Sequence, residues 1–167
     1  MQGLALRTAE PNDAKAVAGI YNHEVTNGVS TFDLVPRSIG EQREWIAARN
    51  GAFSVIVADD AQLGVVGFAA LSTYRDRAGY RTTVENSIYV HRDQQRRGIG
   101  KLLLVRLLDI ARDSGFHTVI ARIEASSEGS LALHSSLGFA KVGTEREIGR
   151  KHGRWLDSII MQKMLAE

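Results

Sequence analysis

Two glycines and three cationic side chains follow a short apolar segment near the middle of the chain, and this combination could bind phosphate. The apolar segment is Ile88, Tyr89 and Val90, and the turn after it contains Gln95, Arg96, Arg97, Gly98, Ile99, Gly100 and Lys101. The first N–H groups of a helix are unpaired and carry partial positive charge, so they attract anions. Glycine lets a ligand approach the backbone, because it has no Cβ. The segment therefore predicts a pyrophosphate site, and an ordinary basic turn between a strand and a helix is the alternative.

Two common phosphate-binding motifs do not match this segment. A dinucleotide fingerprint requires a third glycine where the chain has Leu103. A P-loop requires glycine in place of Gln95 and serine or threonine in place of Leu102. The pattern that is left is Gln-x-x-Gly-x-Gly between a strand and a helix, and apolar residues at 99, 103, 107 and 110 give that helix one apolar stripe.

The elements around this turn alternate between strand and helix patterns. Strands are predicted at 3–8, 53–58, 63–73, 82–90, 117–124, 140–147 and 156–164, and helices at 11–28, 38–50, 101–114 and 127–137. Ser38 and Glu41 form a capping-box pattern at the start of the second helix. This order predicts an α/β domain with a single mixed, mostly antiparallel sheet of about seven strands, flanked by about four helices.

Composition excludes several classes of protein. The chain has 167 residues, of which 44% are apolar and 24% charged, and these values fit one globular domain spanning 1–167. The net charge of +2 does not require a nucleic-acid-binding face. The basic residues between Arg75 and Arg106 are interpreted as attraction for an anionic ligand, with a solvated surface as the alternative. Cysteine is absent, which excludes disulfides, thiolate metal sites and a cysteine nucleophile.

Other motifs that would indicate a location or a different chemistry are missing. The first residues do not form a basic segment followed by an apolar one, so no signal peptide is expected. The longest apolar run, Val65 to Leu71, is too short to span a membrane. We therefore expect a cytoplasmic protein with no membrane or nucleic-acid partner. The five histidines include no helix-spaced pair and no Gly-x-Ser-x-Gly motif occurs, so neither a metal site nor a serine hydrolase is expected.

Several motifs resemble the GCN5-related N-acetyltransferases (GNAT) over nearly the whole chain. The Gln-x-x-Gly-x-Gly turn resembles their acetyl-CoA loop, and Ser130 to Phe139 resembles their late helix with its Leu-Gly-Phe ending. Further segments resemble the subfamily of phosphinothricin and methionine sulfoximine N-acetyltransferases. These are Ser-Thr-Phe-Asp at 30–33, Tyr-Arg-Asp-Arg-Ala-Gly-Tyr at 74–80, Thr-Val-Glu-Asn-Ser-Ile-Tyr-Val at 83–90 and Lys-His-Gly-Arg-Trp-Leu-Asp at 151–157.

The resemblance implies acetyl-CoA as co-substrate and no metal. It assigns cofactor binding to Ile88, Tyr89, Val90, Gln95, Arg96, Arg97, Gly98, Ile99, Gly100, Lys101, Ser127 and Ser130. The subfamily usually has asparagine where this chain has Ser127, and that asparagine helps to hold the pantetheine arm. Serine is shorter, so we expect a weaker or water-bridged contact there.

The chemistry implied is attack of an amine on a thioester. The amine must be neutral to attack, but an α-amine with a pKa of about 8 is mostly protonated at pH 7. A positioned base contributes about 10²- to 10⁴-fold, and Glu85 is the candidate, directly or through a water; a surface carboxylate paired with Arg81 or Arg122 is the alternative. His134 stands where the superfamily often has tyrosine and could protonate the leaving thiolate, although a purely structural histidine is equally expected.

Substrate recognition is assigned to a second group of residues. Arginine can hold an amino-acid carboxylate with two hydrogen bonds, and loop charge in solvent is the alternative. The candidate substrate-binding residues are Phe32, Arg75, Arg77, Tyr80, Lys151 and Trp155, the last two from the chain itself or from a neighbouring subunit. For Trp155, plain core packing is the alternative. A homodimer is what the resemblance implies.

Together these expectations describe an acetyl-CoA-dependent N-acetyltransferase acting on the amine of a small amino-acid-like molecule of the methionine sulfoximine, methionine sulfone or phosphinothricin type. Transfer is expected to be direct, in agreement with the absence of cysteine. The alternatives are a protein N-terminal or lysine acetyltransferase, and an acetyl-CoA-binding sensor without catalysis.

Overall fold

A computed structural model describes residues 3–165 and confirms the predicted order of strands and helices. The strands are β1 (Leu4–Thr8), β2 (Ile56–Asp60), β3 (Gly64–Thr73), β4 (Thr83–Val90), β5 (Thr118–Glu124), β6 (Ala140–Lys151) and β7 (Arg154–Met164). The helices are α1 (Ala14–Asn27), α2 (Ile39–Ala47), α3 (Ile99–Asp113) and α4 (Glu128–Ser136). No helix within 3–165 combines the length and the apolar character needed to cross a bilayer.

The seven strands form one sheet in the order β1-β2-β3-β4-β5-β7-β6. All neighbouring strands are antiparallel except β4 and β5, which are parallel. The β4–β5 ladder pairs Thr83–Glu85 with Thr118–Ile120 and stops there, although β4 continues to Val90 and β5 to Glu124. The two strands therefore separate beyond Glu85, and a gap opens within the sheet.

Helices cover both faces of the sheet because each face carries an apolar row. Helices α3 and α4 pack on one face, where Leu71 and Leu103 are completely buried and Leu133 packs against them. Helices α1 and α2 cover the other face, over Val57 and Phe68. Helices thus flank β4 on both faces of the sheet, and the gap lies at its β5 edge.

Backbone conformation sets several element boundaries that the sequence placed differently. Helix α2 begins at the predicted capping box, in which Ser38 Oγ accepts a 3.1 Å hydrogen bond from Glu41 N and Glu41 accepts one from Ser38 N. It ends at Ala47, before the predicted residue 50, and a short 3₁₀ turn over Gly51–Phe53 follows. Helix α3 begins at Ile99 rather than at 101, because Gly98 adopts a left-handed conformation with φ of 79°.

Strand pairing explains the other differences. The second strand runs over Ile56–Asp60 instead of 53–58, because Asp60 pairs with both Leu4 and Gly64. Strands β6 and β7 extend toward each other until only His152 and Gly153 separate them, with φ of 49° and 74°. Positive φ at both central residues is typical of a two-residue hairpin turn. The long β6–β7 hairpin reaches the loop after α1.

Candidate active site

A cavity of about 910 Å³ occupies the gap between β4 and β5. Its lining comes from segments that are distant in sequence: the end of α1 and the loop after it, both separated strands, the glycine turn, the start of α4 and the β6–β7 hairpin. Among the lining residues are Glu24, Gly28, Ser30, Glu85, Asn86, Tyr89, Arg92, Gly98, Lys101, Arg122, Glu124, Ser127, Ser130, His134, His152 and Arg154. The cavity is therefore bordered by six separate parts of the chain.

Strand β4 contributes side chains from both of its faces to this cavity. Val84 and Asn86 are buried on the α3–α4 face, as the assignment of Glu85 to the cleft required. Glu85 and Tyr89 point to the α1–α2 face, where Tyr89 stacks on Phe68 at 5.3 Å between ring centroids. Groups on both faces border the cavity, so it passes through the sheet and a reactant can enter from each side.

The glycine turn forms one end of the cavity. Gln95, Arg96, Gly98, Ile99, Gly100 and Lys101 line it, as do Ile88, Tyr89 and Val90 of β4. The N–H groups of Ile99, Gly100 and Lys101 belong to the first turn of α3, which lacks partners within the helix. A Cβ on Gly100 would lie 3.2 Å from Leu133 of α4, so glycine lets the two helices pack closely here. Free N–H groups beside Lys101 suit the pyrophosphate predicted from the sequence.

Three other predicted cofactor contacts have different surroundings. Arg97 is not part of the lining, and its guanidinium donates to Gln94 Oε1 instead. Ser127 and Ser130 line the cavity at the start of α4. Ser127 precedes the first residue of α4, and its hydroxyl is 3.5 Å from Glu124 Oε2. The positions of Ser127 and Ser130 are compatible with a pantetheine arm running between β4 and β5.

Glu85 is a half-buried carboxylate beside one arginine. Arg122 Nε lies 3.7 Å from Glu85 Oε2, and the same guanidinium donates to Glu145 at 3.0 Å. Burial raises the pKa of Glu85, the neighbouring Arg122 opposes this rise, and Glu145 adds to it. A carboxylate with a raised pKa is a stronger base at neutral pH. The pairing with Arg122 expected for a surface role is therefore present, while the half-buried position and the raised pKa suit the predicted role as a base.

His134 is buried, and both of its ring nitrogens have a hydrogen-bond partner. Its Nδ1 lies 2.8 Å from Ser130 O, and its Nε2 lies 2.9 Å from Asn86 Nδ2. A carbonyl only accepts, so Nδ1 carries the proton. Burial lowers the pKa of His134, so the imidazole is neutral and Nε2 accepts from the Asn86 amide. Nε2 thus has no proton to give in this state. Asn86 was not among the predicted residues.

Comparison with known proteins assigns the chain to a family. Residues 6–160 match the family described as Acetyltransferase (GNAT) domain. The chain belongs to the GNAT acetyltransferase family. The resemblance noted in the sequence is confirmed, and this GNAT acetyltransferase is an acyl-transferring enzyme.

Full-length relatives support the same assignment for this acetyltransferase. It is 38% identical over 164 residues to the L-amino acid N-acyltransferase MnaT of Escherichia coli (strain K12), covering 98% of this chain and 95% of that protein. It is 37% identical over 160 residues to the L-methionine sulfoximine/L-methionine sulfone acetyltransferase of Pseudomonas aeruginosa PAO1, covering 95% and 92%. The crystal structure of a phosphinothricin acetyltransferase from Sinorhizobium meliloti in complex with acetyl-CoA matches with a TM-score of 0.92 and 37% identity, covering 98% and 89%.

All six predicted substrate residues of the acetyltransferase lie outside the cavity of a single chain. Within residues 3–165, the cavity lining does not include Phe32, Arg75, Arg77, Tyr80 or Trp155. The Arg75 guanidinium lies over the ring of Tyr74 at 5.0 Å and near that of Tyr80 at 5.8 Å. Trp155 is 60% exposed, which is not the core packing considered as its alternative. Their assignment to substrate binding stays a prediction.

Lys151 of the acetyltransferase is buried in a structural position. Its side chain is only 4% exposed, and its ammonium group donates to Glu24 O at 3.0 Å and to Thr31 O at 2.8 Å. Desolvation lowers the pKa of Lys151, opposed by Glu24 and Asp33. In this structure, Lys151 fastens the β6–β7 hairpin to the loop after α1 and does not reach the cavity.

Sequence reasoning missed a carboxylate at the end of α1. Glu24 Oε1 accepts a 2.7 Å hydrogen bond from Arg92, which precedes the glycine turn, and Glu24 Oε2 accepts one from Ser30 at 2.5 Å. A Cβ on Gly28 would collide with Glu24 Oε2, so glycine makes room for this carboxylate. The contact joins the end of α1 and the loop after it to the turn before α3. Its members are far apart in sequence, and no local pattern marks them.

Proposed function

We propose that this acetyltransferase transfers the acetyl group of acetyl-CoA to the amine of a small amino-acid-like molecule of the methionine sulfoximine, methionine sulfone or phosphinothricin type. The observation that carries this proposal is the cavity through the sheet, with the glycine turn at one end and Glu85 on the opposite face of β4. The names of the relatives support the substrate class. We further propose that the protein works in the cytoplasm.

The cofactor lies on the α3–α4 side in this proposal. Its pyrophosphate binds the first-turn N–H groups of α3 and Lys101, and its pantetheine arm passes between β4 and β5 beside Ser127 and Ser130. Main-chain groups of β4 beyond Glu85 have no ladder partner in β5. An N–H group between Ile88 and Val90 is therefore available to polarise the thioester carbonyl.

The acceptor amine enters from the α1–α2 side. Its nitrogen attacks the thioester carbon, the carbon–sulfur bond breaks, and Glu85 receives the amine proton, directly or through water. The thiolate of CoA leaves and is then protonated. A thiol pKa of about 8.5 means that acid assistance at pH 7 is limited to about 2 kcal/mol. His134 can protonate the thiolate only after its Nε2 has gained a proton. In that state the Asn86 amide must turn so that Oδ1, instead of the NH₂ group, faces Nε2.

A second copy of the chain completes the acceptor pocket in this proposal. Arg75 and Arg77 hold the substrate carboxylate, and Phe32, Tyr80 and Trp155 enclose it across the interface of a homodimer. The support is that Phe32 and Trp155 are large, exposed side chains outside the cavity of their own chain. Lys151 acts indirectly by holding the loop that carries Phe32.

The test is thiol release from acetyl-CoA with a panel of amines: methionine sulfoximine, methionine sulfone, phosphinothricin, polyamines, aminoglycosides and peptides with free N-termini. We expect turnover with the first three. Activity on peptides alone would contradict the proposal in favour of a protein acetyltransferase. No thiol release with any amine of the panel, while CoA still binds, would favour an acetyl-CoA-binding sensor without catalysis.

Glu85→Gln separates catalysis from binding. Removing the proton acceptor is expected to lower kcat by about 10²- to 10⁴-fold, while the affinity for CoA, measured by calorimetry, stays within about twofold. Glu44→Gln on the exposed side of α2 removes the same charge outside the cavity and serves as the matched control. Full activity of Glu85→Gln would exclude Glu85 as the base.

A further inference from the structure

Four carboxylates line the cavity, and among the described residues only one of them, Glu124, is buried with no arginine beside it. Glu24 pairs with Arg92 at 2.7 Å, and Glu85 faces Arg122 at 3.7 Å. Glu124 also lines the cavity, but within residues 3–165 no cationic side chain comes within 4.0 Å of it. Glu124 is nevertheless only 7% exposed, so its charge is largely removed from water.

The position of Glu124 is fixed through one oxygen. Its Oε2 accepts hydrogen bonds from Ser126 N at 3.1 Å, from Ser126 Oγ at 2.6 Å and, weakly, from Ser127 Oγ at 3.5 Å. No group within the described residues donates to Oε1. One half of the carboxylate is therefore held by the turn before α4, and the other half is an open acceptor.

The fold places this open acceptor on the acceptor side of the gap. Glu124 is the last residue of β5, four residues beyond Ile120, where pairing with β4 ends. Glu124 is two residues after Arg122, so their side chains lie on the same face of β5, and the Arg122 side chain reaches Glu85. The carboxylate thus lies across the gap from the second half of β4, where the thioester is proposed to bind.

We propose that Glu124 binds the ammonium group of the acceptor when it first enters the site, before Glu85 receives the proton. This inference rests on the proposed function, because it assigns a residue to the amine of that reaction. A buried carboxylate is unfavourable unless hydrogen bonds or a cation compensate its charge, and Arg92 and Arg122 already contact other carboxylates. An amine is protonated at neutral pH and therefore supplies the missing cation.

The two carboxylates then have separate roles. Glu124 provides affinity for the charged amine, so its loss should raise KM for the amine and leave kcat nearly unchanged. Glu85 provides the base, so its loss should lower kcat. A purely structural role for Glu124, holding the turn before α4, would instead weaken binding of CoA beside Ser127.

The experiment measures equilibrium binding to the CoA complex by calorimetry, so it does not depend on turnover. The probes are L-methionine sulfone and its 2-hydroxy analogue, which replaces the ammonium group by a neutral hydroxyl. The wild-type protein should bind the amine at least about tenfold more tightly than the hydroxy analogue. Equal affinities in the wild-type protein would overturn the proposal without any variant.

Glu124→Gln keeps the shape and an acceptor for the serines but removes the charge. It should weaken binding of the sulfone by about 10- to 100-fold and leave the hydroxy analogue and CoA within about twofold. Glu44→Gln is the charge-matched control and should change none of the three affinities. Equal weakening of both probes, or a parallel loss of CoA affinity, would show that Glu124 acts on structure and would overturn the proposal.

The outcomes for the two proposals are distinct. Charge-dependent binding through Glu124 without acetylation of the sulfone would refute the proposed function and retain the ammonium site. Acetylation of the sulfone with unchanged affinity in Glu124→Gln would retain the function and refute the ammonium site.

Discussion

The hydrogen bonds of His134 predict that the protein loses stability in mild acid. His134 is 3% exposed, its Nδ1–H donates to Ser130 O, and burial lowers its pKa in the folded chain. In the unfolded chain, histidine has a pKa of about 6.5 and takes up a proton as the pH falls. Below about pH 6.5 the unfolded state therefore binds more protons than the folded state, and the free energy of unfolding decreases with falling pH.

The size of this loss of stability follows from the uptake of one proton on unfolding. The free energy of unfolding should fall by up to about 1.4 kcal/mol per pH unit, from about pH 6.5 down to the folded-state pKa of His134. With an m-value of about 2 kcal/mol per M, the urea midpoint would move by about 0.7 M per pH unit. The assay is urea unfolding followed by circular dichroism between pH 5 and pH 8.

His134→Gln is the comparison, because glutamine is polar but does not titrate. Its absolute stability will differ, so only the pH dependence is compared. Below pH 6.5, the free energy of unfolding should change more steeply with pH in the wild-type protein than in His134→Gln, by the contribution of one proton. Identical slopes in the two proteins would refute the argument that His134 is held neutral.

Asn86→Asp tests the same reasoning from the opposite side. A carboxylate next to Nε2 favours the imidazolium form, so it should raise the pKa of His134. The acid-dependent loss of stability should then shrink or disappear in Asn86→Asp. An unchanged slope would mean that Asn86 does not determine the protonation state of His134.

Four substitutions have further expected outcomes that the structure defines. Gly28→Ala should destabilise the protein by about 1–3 kcal/mol in urea unfolding, because its Cβ displaces Glu24, whereas Gly19→Ala, with open space at Cβ within α1, should stabilise it by about 0.5–1 kcal/mol. Lys151→Met should cost about 2–3 kcal/mol in the same assay, because two carbonyls lose their donor; a neutral result would show that this ammonium group is dispensable. His134→Gln should lower kcat at pH 7 by no more than about 30-fold in the thiol-release assay, and a larger loss would show that acid assistance is essential.

The fold was predictable because its signals are local. The alternation of strands, the helical stripe after Gly100 and the capping box at Ser38 each lie within a few adjacent residues, and the structure contains each element. The end points were less accurate, because they depend on long-range pairing. Asp60 belongs to a strand only because Leu4 and Gly64 are beside it.

The same distinction separates the two halves of the site. Most of the predicted cofactor residues lie in one continuous segment from β4 into α3, so residue types and spacing were enough to suggest them, and their role in binding stays a prediction. The acceptor side combines the end of α1, two strands and a hairpin, and no spacing in the sequence relates Glu24 to Arg92 or Glu124 to Glu85. Lys151 shows that residue type alone does not decide a role. A lysine can bind a ligand carboxylate or donate to main-chain carbonyls, and in the structure Lys151 donates to two main-chain carbonyls.

In the proposed mechanism, the separation of β4 from β5 allows one strand to contact both reactants. In a continuous sheet, side chains on opposite faces of a strand are divided by the hydrogen-bond ladder. Here the ladder stops at Glu85 and Ile120, so Asn86 beside His134 and Glu85 on the other face border the same cavity. The unpaired main chain that results from this gap is costly unless another group bonds to it. A bound thioester and its pantetheine arm would supply those bonds, so the opening that admits the amine also favours occupation by the cofactor.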